Sequence, residues 1–132
     1  MKNTAKFNII VTAENIIDYV FSITDRMPKK TRCDILVEIR RASLKALESV
    51  IRANNVRIDK TAIDAELVKT RSAQQNEAKI TTMVLMSLIS VAHKQKYITT
   101  DQCRNATSLC DKLLSSIFNW QKSDIERYQP SA

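Results

Sequence analysis

The chain has 132 residues, 44% of them apolar and 27% charged, the size and balance of one globular domain. Glycine is absent and the only prolines are Pro28 and Pro130, which argues against phosphate-cradling loops, dinucleotide fingerprints, tight β-hairpins and nucleophile elbows. The net charge of +7, from 21 Lys and Arg against 14 Asp and Glu, favours a polyanionic partner, either nucleic acid or an anionic membrane surface.

A chain with so few breakers reads as all-α. The first helix is expected over about 13–26, with Thr12 as N-cap and Glu14 in the first turn. Ile16, Val20, Ile23 and Met27 form its apolar stripe. Pro28, Lys29 and Lys30 break the run, and Thr31 caps a second helix over about 32–54. There Ile35, Ile39, Ala42, Ala46 and Val50 share one face, while Arg41, Lys45 and Arg52 lie opposite with Asp34 and Glu48 among them. Asn54 and Asn55 end it, because Asn tolerates the left-handed conformation that glycine would otherwise supply.

Asp59 is expected to cap a third helix over about 59–95. Its middle, from Lys69 to Lys79, is polar enough for a local break, and its later part, from Ile80 to Ala92, is apolar almost all round. Thr99-x-x-Gln102 is a capping-box pattern opening a fourth helix over about 100–123, with Cys103, Ala106, Cys110, Leu113, Leu114, Ile117 and Trp120 facing inward. Residues 124–132 read as a frayed tail. The expected architecture is a single-domain, up-down-up-down four-helix bundle over residues 1–122.

Charge is concentrated. Residues 26–60 hold ten basic groups (Arg26, Lys29, Lys30, Arg32, Arg40, Arg41, Lys45, Arg52, Arg57, Lys60) against four acidic ones (Asp34, Glu38, Glu48, Asp59). This face can contact successive phosphates, or it can be a solvated surface that keeps a small protein soluble. Aromatic residues are only 5% of the chain, so backbone-dominated, salt-sensitive binding is expected rather than base stacking. The second helix also carries a surplus apolar line, Val37, Leu44 and Ile51, spaced seven apart. It either widens the buried face or forms a subunit interface.

Chemistry-bearing sets are missing. His93 is the sole histidine, placed near a helix end where it complements the dipole. Cys103 and Cys110 sit two turns apart, too distant for an intrahelical disulfide, and read as small core residues. No nucleophile, base and orienting group recur together, so neither enzyme activity, a metal nor a cofactor is expected. An odd count of three cysteines, together with the lack of a membrane-length apolar run, points to a cytoplasmic protein with reduced thiols and no membrane partner.

Two blocks carry a family resemblance. The first is Met27-Pro28-Lys29-Lys30 leading into Ile35, Ile39-Arg40-x-Ala42 and Leu47, and closing at Ala53-Asn54-Asn55. The second is Tyr97-Ile98-Thr99-x-x-Gln102, followed by Leu113-Leu114-x-x-Ile117-x-x-Trp120. Together the chain resembles the accessory variability determinant (Avd) proteins of diversity-generating retroelements and their relatives encoded in ribosomal-RNA intervening sequences. The resemblance implies a ring-shaped homopentamer with a positive surface, which binds RNA or DNA and a reverse transcriptase and supports mutagenic copying of template RNA. It assigns Lys29, Lys30, Arg32, Arg40, Arg41, Lys45 and Arg52 to phosphate or polymerase contacts. The alternative is an interaction bundle of the intervening-sequence kind with no nucleic-acid role.

Overall fold

A computed structural model describes residues 4–27 and 32–129, with side chains from Asn8 in the first stretch and from Asp34 in the second. Among the described residues there are four long helices and no strand. They are α1 (Thr4–Asp25), α2 (Val37–Asn55), α3 (Ala65–Lys94) and α4 (Thr100–Arg127), and a turn of wider, π-type helix over Arg32–Leu36 leads into α2. Each helix packs on its neighbours in sequence, and α1 closes against α4. Direction follows from the cross-helix pairs. Arg71 meets Asp124, Asn76 meets Gln121 and Lys79 meets Phe118, so α3 and α4 run antiparallel. The result is a four-helix bundle.

Most of the expected core is buried, while Ile35, Cys103 and Leu114 of the expected inward faces are only partly so. Ile16, Val20, Ile23 and Met27 of the first stripe are buried, as are Ile39, Ala42, Ala46 and Val50 of α2 and Ala106, Cys110, Leu113, Ile117 and Trp120 of α4. The capping box also forms: the Thr99 hydroxyl accepts from Gln102 N–H at 3.0 Å, and Thr99 N–H donates to Gln102 Oε1 at 2.9 Å.

Several boundaries differ from expectation. Thr12 does not cap α1, which already runs from Thr4. Its hydroxyl donates to the Asn8 carbonyl at 2.8 Å, so a buried threonine is satisfied inside the helix. The proposed cap Thr31 lies outside the described residues. α2 ends at Asn55 without a left-handed residue, because Val56 leaves in an extended conformation. The residue with positive φ is Lys96 (65°), at the end of α3, where Lys96 N–H and Tyr97 N–H donate to the His93 and Ala92 carbonyls. Asp59 does not cap α3 either. It accepts from the Thr61 hydroxyl and backbone N–H, which together lower its pKa. The N-cap is Asp64, whose carboxylate accepts from Glu66 N–H at 2.9 Å.

α3 continues unbroken through its polar middle. The reason is Arg71, whose side chain is 3% exposed. Its Nε and Nη2 donate to Asp124 at 2.6 and 3.2 Å, and its Nη1 donates to the Val56 carbonyl at 3.0 Å. Gln75, also buried, donates to the same carboxylate at 2.8 Å. The guanidinium carbon lies 5.2 Å from the Trp120 ring and 5.7 Å from that of Tyr128. This network overturns the expectation of a frayed tail from residue 124, since α4 continues to Arg127 and both Asp124 and Tyr128 are buried.

Breaking a buried pair by removing one partner strands the other charge out of water. Arg71→Leu is expected to lower unfolding free energy by about 3–5 kcal/mol, measured by denaturant titration. Asp124→Leu in addition should recover most of that loss, because no charge then remains buried alone.

Candidate nucleic-acid interface

The basic groups singled out on α2 divide into two kinds. Arg41, Lys45 and Arg52 project outward, their side chains 68%, 54% and 62% exposed. Each reaches a carboxylate: Arg41 meets Glu38 at 3.6 Å, Lys45 meets Glu77 of α3 at 3.3 Å, and Arg52 meets Glu48 at 3.5 Å. Exposed pairs at such distances contribute little, typically ~0.2–1 kcal/mol, so a phosphate can exchange with the carboxylate. Three cations therefore face three anions. Glu77 is the part that α2 alone does not disclose, because only packing brings α3 beside Lys45.

Arg40 is different in kind. Its Nη2 donates to Asp25 at 2.6 Å and its Nε to the Thr24 hydroxyl at 2.9 Å. The guanidinium lies 4.5 Å from the centroid of the Phe21 ring. Thr24 accepts that bond while donating its own proton to the Val20 carbonyl at 2.7 Å. Arg40 thus clasps the end of α1 to the start of α2. Lys29 and Lys30 lie outside the described residues, as does the side chain of Arg32.

The surplus apolar line lies on the surface of the chain. Val37, Leu44 and Ile51 are 41%, 49% and 39% exposed. Val37 and Leu44 join Phe21 and Leu36 in a groove of about 600 Å³ between α1 and α2, edged by Arg40, Arg41, Lys45 and Glu48. The late part of α3 resolves in the same way. Leu85, Ile89 and Ala92 enter the core, while Ile80, Met83, Val84 and Val91 remain exposed. No charged residue falls between Lys79 and His93 to interrupt that face.

The other chemical candidates are placed as follows. His93 sits in the last turn of α3 with its Nε2 3.1 Å from the Thr100 hydroxyl. Cys103 is half-buried and Cys110 fully buried, both as free thiols. Among the described residues no three His, Cys, Asp or Glu side chains converge on a common point, and no helix is long and apolar enough to cross a membrane. No family model matches the chain, and no curated protein matches its sequence.

Burial pushes the Cys110 thiol from an ordinary 9.0 up to about 12, with the Asp111 charge adding to the effect. The unfolded thiol ionises above pH 9.0 while the native one holds its proton, so the native state binds more protons in that window. Its contribution is intact below pH 9.0 and is lost as pH rises toward 12. Stability should fall by up to about 1.4 kcal/mol per pH unit there. Denaturant midpoints compared with Cys110→Ala at each pH isolate this slope, which the variant lacks.

Proposed function

We propose that this chain is a non-catalytic, basic accessory protein of the diversity-generating retroelement kind. It acts in the cytoplasm as a homo-oligomer that holds RNA or DNA and a reverse transcriptase during copying of template RNA. The observation that carries this reading is the outward row Arg41, Lys45 and Arg52 on α2, tied only by weak exposed pairs. Phosphates compete well for such cations because each contact releases a condensed counterion. The polymerase and the ring come from the Avd-like resemblance. The exposed apolar lines on α2 and α3 support self-association, since a lone bundle gains nothing by presenting them to water.

A second reading has its own support. Each of the three cations has one carboxylate within reach, Glu38 for Arg41, Glu77 for Lys45 and Glu48 for Arg52, as in an interaction bundle whose charges only solvate it. Binding of a labelled single-stranded RNA across a salt series separates the two. Under the accessory reading, affinity falls steeply with salt, and Arg41→Glu with Lys45→Glu abolishes binding while the helical circular dichroism is unchanged. Unchanged binding in that variant removes the assignment of this face.

Assembly is tested by light scattering after chromatography. A ring mass near that of a pentamer, persisting at high salt, is expected of the chain as it stands. Leu44→Glu with Ile51→Glu should yield monomer, because each introduced carboxylate would be buried unpaired at the junction. A monomeric parent chain would leave the resemblance reaching the fold and not the assembly.

A further inference from the structure

A second concavity lies at the far end of the bundle, between the first half of α3, the end of α4 and the connection preceding α3. Its volume is about 430 Å³, within the range of small-molecule sites, roughly 300–1,000 Å³. Ile58, Val68, Ile125 and Tyr128 supply apolar walls, and Arg71, Gln75 and Asp124 also line it. The cavity therefore sits on the network that joins α3 to α4. Arg71 and Asp124 neutralise each other, and among the described residues they are the only charged ones in its lining.

Hydrogen-bonding capacity is left over in that network. Of the five guanidinium N–H groups of Arg71, three are engaged, by the two oxygens of Asp124 and the carbonyl of Val56. Two remain on the Nη atoms. Gln75 donates to Asp124, and its own amide oxygen accepts no bond among the described residues. The fully buried side-chain polar atom left without a partner among the described residues is Trp120 Nε1; the Gln75 oxygen is not sealed off in that way and is open to an incoming donor. An occupant that satisfies both must present an acceptor to the guanidinium and a donor to the Gln75 carbonyl. It must also be uncharged where it enters, because a further charge would be desolvated with no counter-ion. Tyr128 and the aliphatic walls suit a flat molecule.

We propose that this cavity binds an uncharged nucleobase through its lactam edge, the adjacent N–H and C=O that uracil and guanine present. The C=O accepts from Arg71 and the N–H donates to Gln75 Oε1. A free nucleoside and an unstacked base of a strand offer the same edge. The inference stands on the cavity alone and does not need the accessory reading of the α2 face.

Trp120 is the only tryptophan of the chain, and its ring lies against the Arg71 guanidinium, so its emission reports on this network. The test titrates the full chain with uridine and follows tryptophan fluorescence. A saturable change is expected with uridine and none with 3-methyluridine, which lacks the lactam N–H. Gln75→Met should weaken uridine binding roughly tenfold or more, and Ser72→Phe, which fills the cavity from α3 while leaving both members of the ion pair in the chain, should abolish it. No response to uridine at millimolar concentration, or an equal response to 3-methyluridine, overturns the proposal whatever the variants do. Oligouridylate then separates the sources. If Ser72→Phe weakens strand binding, the base is delivered by a strand; if it weakens only uridine binding, the site is for a free nucleoside. Reversal of Arg41 and Lys45 affects the strand and leaves the uridine titration unchanged, so the two functional readings fail independently.

Discussion

Arg71 and Asp124 are a guanidinium and a carboxylate removed from water at one end of a small bundle, and much of the local architecture follows from how that cost is met. An isolated buried charge costs several kcal/mol. Here the carboxylate receives two bonds from Arg71 and one from Gln75, while the remaining engaged guanidinium nitrogen reaches back to the Val56 carbonyl. One side chain therefore ties α3 to α4 and to the strand of chain leaving α2. Trp120 and Tyr128 pack over the same guanidinium, which carries α4 past the last apolar turn and closes that end. A hydrophobic bundle could have been built without the pair; with it, the register between α3 and α4 is specified by directional bonds as well as by packing.

The other end of the molecule uses a milder version of the same device. Arg40 joins α1 to α2 through Asp25, Thr24 and the face of Phe21, but its side chain is 26% exposed, so desolvation is small and the clasp is correspondingly weaker. Between these two fastened ends, α2 presents cations that are only loosely held. The contrast divides the basic residues physically: Arg71 and Arg40 are bound into the fold, whereas Arg41, Lys45 and Arg52 have partners that an incoming anion can replace.

The apolar surplus has a geometric origin. A bundle helix offers one stripe to its core, yet α2 and the late part of α3 each carry residues beyond that stripe. Val37, Leu44 and Ile51 on one, and Ile80, Met83, Val84 and Val91 on the other, stay on the surface because their neighbours already fill the interior. Both are rimmed by charge: the α2 groove is edged by Arg40, Arg41, Lys45 and Glu48, and Ile80 and Val84 of α3 share a concavity with Glu38, Arg41, Lys45 and Glu77.

The sequence by itself determined the helical class, the inward stripes and the cap of α4. These are readable because helical periodicity and the Thr99–Gln102 box involve residues at most a few turns apart. Where two local solutions competed, it misled. Thr12 can cap a helix or bond back within one, and both Asp59 and Asp64 are suitable caps; burial and the path of the chain chose between them. The polar middle of α3 and the residues after 123 were the largest misreadings, and they are two sides of one contact. Arg71 and Gln75 look like solvent-facing residues, and Asp124 looks like the start of a tail, until packing brings them together across 53 and 49 positions of sequence. The pairing of Lys45 with Glu77 is of the same kind. Periodicity records which face of a helix is apolar but not which polar group will meet a given charge, and that partner was decided only by the tertiary structure.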